Sequence, residues 1–243
     1  MDLRNRGILI AVEGIDGSGK TTQVALLREA LQNGGEAPIV SKEPTNGYWG
    51  QKIRESAASG RLSLEEELDA FIRDRREHVY KVVQPALDAG KIVLLDRYFY
   101  STIAYQGSRG ADVATLKAEM KTQFPIPDAV YIVDIDPTLA LHRISQSRGQ
   151  TPNEFERLDA LIRVREVFNS LEGPPVTRID GSVSMEAVHR SILEAFVEGP
   201  LKSKRCAKEY GCDDPFHCVP ALAGICEWWN LSRRLLPTLK AKT

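Results

Sequence analysis

The residues with the clearest chemical meaning lie near the N-terminus, directly behind the apolar run 8–12. They fit the Walker A pattern G-x-x-x-x-G-K-[ST] at every fixed position and read Gly14-Ile15-Asp16-Gly17-Ser18-Gly19-Lys20-Thr21. In this pattern the glycines let backbone N–H groups surround phosphate oxygens, the lysine binds the β- and γ-phosphates, and the threonine hydroxyl is a ligand for Mg²⁺. A helix beginning near Thr22 would direct its positive N-terminal end at the same anion. The segment predicts binding of a nucleoside triphosphate with Mg²⁺, and the alternative is an ordinary glycine-rich turn.

A second group of chemical residues follows later apolar runs. Asp96 and Arg97 come directly after the run 92–95, where a carboxylate can hold Mg²⁺ and an arginine can bridge donor and acceptor phosphates. Considered alone, this dipeptide also fits a surface ion pair. Side chains suited to holding a base and a phosphate occur at Phe71, Arg75, Ser101, Tyr105 and Gln106. Taken one at a time, each of these has the simpler interpretation of core packing or a solvated helix face.

Strand-like apolar runs alternate with helical patterns along the chain. The predicted strands are 8–13, 37–41, 92–95, 129–133 and 176–179. The predicted helices are 22–32, one containing Ile53 and Arg54, a long one that begins at the capping box 63–66, 137–146 and 184–197. This alternation predicts an α/β fold: a doubly wound parallel sheet of the P-loop NTPase type with helices on both faces. Acidic residues at the strand ends would then surround one crevice, and they are Glu13, Glu43, Asp96 and Asp134.

Length and charge exclude several classes of protein. The chain has 243 residues and a net charge of −1, so no global field favours nucleic acid or an anionic membrane. No apolar run approaches the length of a membrane span, and residues 1–7 lack the apolar region of a signal peptide. We therefore expect a cytoplasmic protein with neither nucleic acid nor membrane among its partners.

All four cysteines lie in the last part of the chain, at Cys206, Cys212, Cys218 and Cys226. This shift in composition predicts a P-loop domain over 1–199 and a C-terminal appendage over 200–243. The thiolates and His217 could bind a structural zinc ion, although their spacing is wider than that of the usual C-x₂₋₄-C pairs. The alternative is free thiols in a packed helical appendage.

Together these segments resemble the thymidylate kinase family of nucleoside monophosphate kinases, over about 8–196. The most specific match is the stretch Asp96-Arg97-Tyr98…Ser101…Ala104-Tyr105-Gln106-Gly107. It occurs in order with the Walker A segment, Glu43-Pro44-Thr45, Phe71…Arg75…His78-Val79, Pro85-Ala86-Leu87 and Pro127-Asp128…Asp134-Ile135-Asp136-Pro137. The resemblance implies transfer of the γ-phosphoryl group of ATP to dTMP with Mg²⁺, a step in dTTP synthesis, and a homodimer.

The resemblance also implies roles for individual residues. Asp16 would bind the 3′-hydroxyl of dTMP, and Phe71 would stack on thymine. Arg75 and Arg97 would hold the acceptor phosphate. The other residues implied at the acceptor are Glu43, Ser101, Tyr105 and Gln106. Those implied at the donor are Gly14, Ile15, Asp16, Gly17, Ser18, Gly19, Lys20, Thr21 and Thr22 on the phosphates, Arg143 on adenine, and Thr21 and Asp96 on Mg²⁺.

A lid is implied between about 144 and 157. Members of the family have a catalytic arginine either in the phosphate loop or in this lid, and the loop here contains Gly17-Ser18 and no arginine. We therefore assign the catalytic charge to Arg148. Arg157 is a neighbouring candidate, which could instead pair with a carboxylate of its own helix. The other interpretation of the segment is a flexible polar connector.

One departure from the family lies near the acceptor. The common Glu-Pro-Gly-Gly-Thr is here Glu43-Pro44-Thr45-Asn46-Gly47. Two further functional classes therefore stay open, namely another nucleotide or deoxynucleoside kinase on the same scaffold and a P-loop binding protein without turnover. The presence of Lys20, Asp96 and Arg97 argues against the second class.

Overall fold

The computed structural model of the chain describes residues 6–148, residues 157–201 and Leu235. Its centre is a parallel sheet of five strands in the order β2-β3-β1-β4-β5. The strands are β1 Ile8–Glu13, β2 Ile39–Lys42, β3 Ile92–Asp96, β4 Ala129–Asp134 and β5 Val176–Asp180. The helices are α1 Lys20–Asn33, α2 Tyr48–Ser59, α3 Leu64–His78, α4 Gln84–Asp88, α5 Phe99–Gly107, α6 Val113–Gln123, α7 Pro137–Arg148, α8 Leu158–Ser170 and α9 Met185–Phe196. The prediction of an α/β fold with a parallel sheet is confirmed.

The side chains of the central strands alternate between two buried clusters. On β1, Leu9 and Ala11 pack in one cluster with side chains of α5, α6 and α8. Ile10 and Val12 pack in the other cluster, with side chains of α1 and α9. Because successive side chains of a strand point to opposite faces, the two clusters lie on the two sides of the sheet. Burial on both faces explains why the strand sequences are continuously apolar, as predicted.

The long helix that begins at residue 63 has the predicted start. The Ser63 hydroxyl accepts the Glu66 N–H at the beginning of α3, and the Glu66 carboxylate accepts the Ser63 N–H in return. This is the capping box expected from the sequence. A π-helical turn at Val79–Val83 follows α3 and leads into α4. The helix therefore continues past Val79, but with one widened turn.

Several element boundaries differ from the sequence-based prediction by one or two residues, and helices α5, α6 and α8 were not among the predicted helices. Helix α1 begins at Lys20 rather than at 22, because Gly19 precedes it in the left-handed conformation with φ 95°. Strand β2 covers Ile39–Lys42 rather than 37–41. Helices α5 and α6 lie between β3 and β4, where no helix was predicted. Every residue of α5 from Phe99 to Gln106 is buried, so this helix has no polar face to produce an amphipathic pattern.

The described part of the C-terminal region packs against the sheet. A π-helical turn at Val197–Leu201 extends α9 across the predicted domain boundary. Leu201 and Leu235 are both buried in the cluster formed with α1 and α9. The four cysteines lie outside the described residues, so the division at 199 and the zinc site stay predictions. Among the described residues, no helix has the length and apolar character needed to cross a membrane.

Candidate active site

A cavity of about 710 Å³ lies at the carboxyl ends of the strands. This is where a doubly wound sheet is expected to bind its ligands. The predicted site residues that line it are Asp16, Gly17, Gly19, Lys20, Thr21, Thr22, Glu43, Phe71, Arg75, Asp96, Arg97, Ser101, Tyr105 and Arg143. The donor and acceptor residues of the prediction are thus brought together around one space.

The phosphate loop connects β1 to α1. Gly17 has φ 80°, and a side chain there would collide with the backbone carbonyl of Ala140, so glycine is required on both grounds. The Lys20 ammonium donates to the Ile15 carbonyl at 2.6 Å, with the Ser18 hydroxyl oxygen at 3.5 Å. Burial and the positive charge of Arg97 together lower the pKa of Lys20 to about 8, against smaller raising effects of nearby carboxylates. Gly14, Ile15 and Ser18 therefore shape the loop behind the residues that line the cavity.

Thr21 and Asp96 meet across the two central strands. Strand β1 pairs in parallel with β3, which places the end of β3 beside the start of α1. The Thr21 hydroxyl donates to Asp96 Oδ2 at 2.5 Å. A hydroxyl and a carboxylate oxygen are hard ligands of the kind Mg²⁺ prefers, and they adjoin the loop that would bind the phosphates. This donor set fits the magnesium ion implied by the sequence.

Arg97 lies between the phosphate loop and α5. One nitrogen, Nη2, donates to Asp16 Oδ1 at 2.6 Å. The Tyr105 hydroxyl donates to the other oxygen of Asp16 at 2.8 Å, and the Arg97 guanidinium lies 5.1 Å from the centre of the Tyr105 ring. Burial disfavours ionisation of Asp16, but the charges of Arg97 and Lys20 outweigh it and lower the pKa of this carboxyl. Asp16 is therefore a carboxylate with both oxygens already directed by neighbours.

The far end of the cavity is bounded by α3 and α5. Arg75 is only 1% exposed, and its Nε and Nη2 lie 2.8 and 2.7 Å from Glu43 Oε2. Its Nη2 also donates to the Thr102 hydroxyl at 2.9 Å. The imidazole Nδ1 of His78 lies 3.0 Å from the second oxygen of Glu43. Glu43 thus compensates a buried arginine at the wall of the cavity, and Phe71 lines the same region.

Gln106 is not among the residues that line the cavity. It is fully buried, and its amide nitrogen donates to Glu67 Oε1 at 2.7 Å. The Glu67 carboxylate is also bonded by Arg61 and Arg109, at 2.8 Å each. Gln106 therefore belongs to a polar cluster behind the wall formed by α5.

The arginines of the predicted lid have different surroundings. Arg143 lines the cavity from α7 and donates to the Gly181 carbonyl at 3.0 Å. Arg148 is the last residue of α7, and its side chain, like residues 149–156, lies outside the described part of the chain. Arg157 precedes α8 and lies 3.5 Å from Asp159, which is the pairing with its own helix considered from the sequence.

Thr102 and Tyr98 are among the lining residues that sequence reasoning missed. Thr102 lines the cavity beside Ser101 and contacts Arg75. Tyr98 lines it too, with its ring centre 5.3 Å from the Arg75 guanidinium. The positions 98, 102 and 105 recur at helical spacing, so recognising α5 as a helix would have placed them on one side.

Comparison with known proteins identifies the family. The sequence model described as "Thymidylate kinase" matches residues 12–192. The curated "Thymidylate kinase" of Xanthomonas oryzae pv. oryzae (strain PXO99A) is 47% identical over 190 residues, which cover 78% of this chain and 83% of that protein. The curated "Thymidylate kinase" of Xylella fastidiosa (strain M12) is 45% identical over 192 residues, which cover 79% of this chain and 88% of that protein. The chain therefore belongs to the thymidylate kinase family.

Proposed function

We propose that the cavity binds ATP at the phosphate loop and dTMP between α3 and α5, with Arg97 between them. The reaction is that of the family: the γ-phosphoryl group of ATP passes to dTMP and gives dTDP and ADP. One observation carries the proposal. The phosphate loop, the Thr21–Asp96 pair and the pocket of Phe71 and Arg75 all open into the same cavity.

The donor would be held by the phosphate loop and the start of α1. Backbone N–H groups and the positive end of α1 face the phosphates there. Lys20 would exchange its bond to the Ile15 carbonyl for the β- and γ-phosphates, a change that keeps its charge compensated. Arg143, at the cavity wall on α7, would pack on adenine.

Thr21 and Asp96 would hold the magnesium ion. When bound, Mg²⁺ would neutralise charge on the phosphates. The protein contributes the hydroxyl and carboxylate oxygens, which lie 2.5 Å apart.

The acceptor would be held by residues of the phosphate loop, α3 and α5. Asp16 would accept the 3′-hydroxyl of dTMP, Phe71 would stack on thymine, and Arg97 would bridge to the acceptor phosphate. Arg75 would face the acceptor with its charge balanced by Glu43.

Gln106 would act through Glu67 on the wall of the pocket, since it does not line the cavity. Ser101 and Tyr105 would set the positions of Arg97 and Asp16.

Phosphoryl transfer would need no covalent intermediate. Its acceleration would come from alignment of the two substrates and from positive charge around the moving phosphoryl group. Lys20 and Arg97 supply part of that charge from fixed positions. We assign the remainder to Arg148, arriving from the lid when it closes and excludes water.

Further expectations belong to the same proposal. The homodimer rests on the family resemblance, and the cytoplasmic location stays an expectation. The appendage over 200–243 and a structural zinc ion bound by its cysteines are proposals from composition alone.

An acceptor panel tests the proposal. The purified chain is incubated with ATP, Mg²⁺ and one of dTMP, dUMP, dCMP or dGMP, and release of ADP is followed for each. We expect the highest kcat/KM with dTMP. A purine monophosphate as the best acceptor would overturn the assignment of the pocket, and equal ADP release with and without any acceptor would overturn the transfer reaction.

A further inference from the structure

The N-terminus of α5 is capped by a residue from another element. Tyr98, the N-cap residue of α5, has no side-chain hydrogen bond of its own to the helix. Instead, Glu13 at the end of β1 accepts the Tyr98 N–H at 2.8 Å and the Ser101 N–H at 3.3 Å with its Oε1. One carboxylate therefore accepts two N–H groups at the start of the helix, as in a capping box but across the fold, and the Ser101 N–H also donates to the Tyr98 carbonyl at 3.1 Å.

The same carboxylate reaches Arg97 through one hydroxyl. The Ser101 hydroxyl donates to Glu13 Oε2 at 2.5 Å and accepts from Arg97 Nη1 at 3.0 Å. Glu13 thus bonds the backbone N–H of Tyr98, which directly follows Arg97. It also bonds the Ser101 hydroxyl, which accepts from the Arg97 guanidinium.

Arg97 needs such support because its backbone is strained. Its φ is 71°, a left-handed value that among the described residues no other non-glycine residue has. This conformation is unfavourable for a residue with a side chain and persists only where the surroundings impose it. The contacts on its C-terminal side are those of Tyr98 and Ser101 with Glu13.

We propose that Glu13 is a positioning residue that fixes the backbone and guanidinium of Arg97 in the phosphoryl-transfer site. Glu13 is fully buried and does not line the cavity, so it acts through Ser101 and α5 and not by touching substrate. This inference rests on the role proposed above for Arg97.

The test is a double-mutant cycle between Glu13 and Arg97. Because the proposed role runs through Arg97, Glu13→Ala should lower kcat by about 30-fold or more and leave the KM for ATP within about threefold. Glu13→Gln keeps an oxygen for the two N–H groups and should recover kcat to within about fivefold of the wild type. In an Arg97→Ala background, measured at high enzyme concentration, either change should alter the residual rate by less than about threefold.

Asp112→Ala is the matched control for loss of a helix cap. Asp112 caps α6 by accepting the Thr115 N–H at 2.7 Å, and it lies outside the proposed site. It should lower thermal stability to a similar degree with kcat unchanged. If Glu13→Ala does not fold, Glu13→Gln and its double mutant complete the cycle.

The inference would be overturned by a full kcat in Glu13→Ala, or by equal losses from Glu13 changes with and without Arg97. A silent Arg97→Ala would overturn it as well. Failure of the wild type to make dTDP would instead overturn the proposed function, so the two failures are distinguishable.

Discussion

Cationic side chains around the cavity are compensated by acidic neighbours. Arg97 is bonded to Asp16, and Arg75 is bonded to Glu43. Lys20 lies near the carboxylates of Asp16 and Asp96 and bonds a backbone carbonyl. Such compensation keeps the cations in position, so little reorganisation is needed when phosphates arrive.

At this scale we predict that Phe71→Ala weakens acceptor binding. Loss of a stacked ring should raise the KM for dTMP by about 5- to 100-fold, corresponding to roughly 1–3 kcal/mol, while the KM for ATP stays unchanged. Tyr80→Ala is the control, since Tyr80 is 79% exposed and does not line the cavity. Steady-state kinetics with both substrates provide the measurement, and an unchanged KM for dTMP would remove Phe71 from the pocket.

We also predict that Arg148→Ala lowers kcat with little change in the affinity for dTMP, since its charge would act mainly in the transition state. Arg157→Ala should be nearly silent, because Arg157 and Asp159 form an exposed pair. Arg143→Ala should raise the KM for ATP. Parallel kinetics of the three variants discriminate between them: a loss of kcat confined to Arg157→Ala would move the catalytic charge to that residue, and three silent variants would remove the lid from the mechanism.

At the scale of elements, continuously apolar strands were predictable, but a helix buried on all sides was not. The strand Ile92–Asp96 has four fully or nearly fully buried residues, and its acidic end points to the crevice. Helix α5 has no polar face, so no period marks it, although its residues were recognised as a motif. Because α5 was not recognised as a helix, the direction of the Gln106 side chain could not be assigned, and it was predicted in the pocket. In the structure its position on the helix directs it to Glu67. Side-chain direction depends on the element, which a motif alone does not define.

A prediction at this scale concerns the hydrogen bonds by which Glu13, at the end of β1, holds the start of α5. Burial raises the pKa of Glu13 from 4.5 to about 7, against smaller lowering effects of Ser101, Arg97, Tyr98 and Lys20. The folded state binds the Glu13 proton more tightly than the unfolded state does. The resulting contribution to the free energy of unfolding is fully present below about pH 4.5 and is lost as the pH rises to about 7. Glu13→Gln cannot titrate, so its stability relative to the wild type should rise over this window by on the order of 1 kcal/mol per pH unit.

Denaturant unfolding of both proteins at pH 5, 6, 7 and 8 measures this difference in the free energy of unfolding. These pH values lie on both sides of the Glu13 pKa of about 7. Asp112→Asn serves as the control at a fully exposed carboxyl. A difference between wild type and Glu13→Gln that is constant over the whole range would contradict the prediction.

At the scale of the whole molecule, the sheet separates two cores and gathers the functional residues at one edge. The parallel order of the strands follows from their sequence pattern, and the crevice follows from that order. Arg75, in contrast, reaches the cavity wall through packing of α3 against α5, which no local pattern specifies. The packing of Leu235 in the core with α1 and α9 was equally unpredictable, since the core residues around it are distant in the sequence.

We predict that Leu235→Ala destabilises the whole domain. Leu235 is 1% exposed in the core beside α9, so its truncation should cost about 2–4 kcal/mol of unfolding free energy. The kcat and both KM values should stay unchanged, since this core lies on α1 and α9 rather than on the acceptor pocket. Ile162→Ala, at a side chain 43% exposed, is the control. Equal unfolding curves for Leu235→Ala and wild type would show that the appendage does not stabilise the domain.

The central claim is that the phosphate loop of this cavity transfers a phosphoryl group from ATP to dTMP. The most direct measurement is the rate of dTDP and ADP formation by wild type and by Lys20→Ala, with thermal unfolding of both recorded in parallel. We predict that the variant folds as the wild type does and loses on the order of 10²–10³ in rate, because a charge on the moving phosphoryl group is removed. Near-normal formation of dTDP by a folded Lys20→Ala variant would contradict the claim.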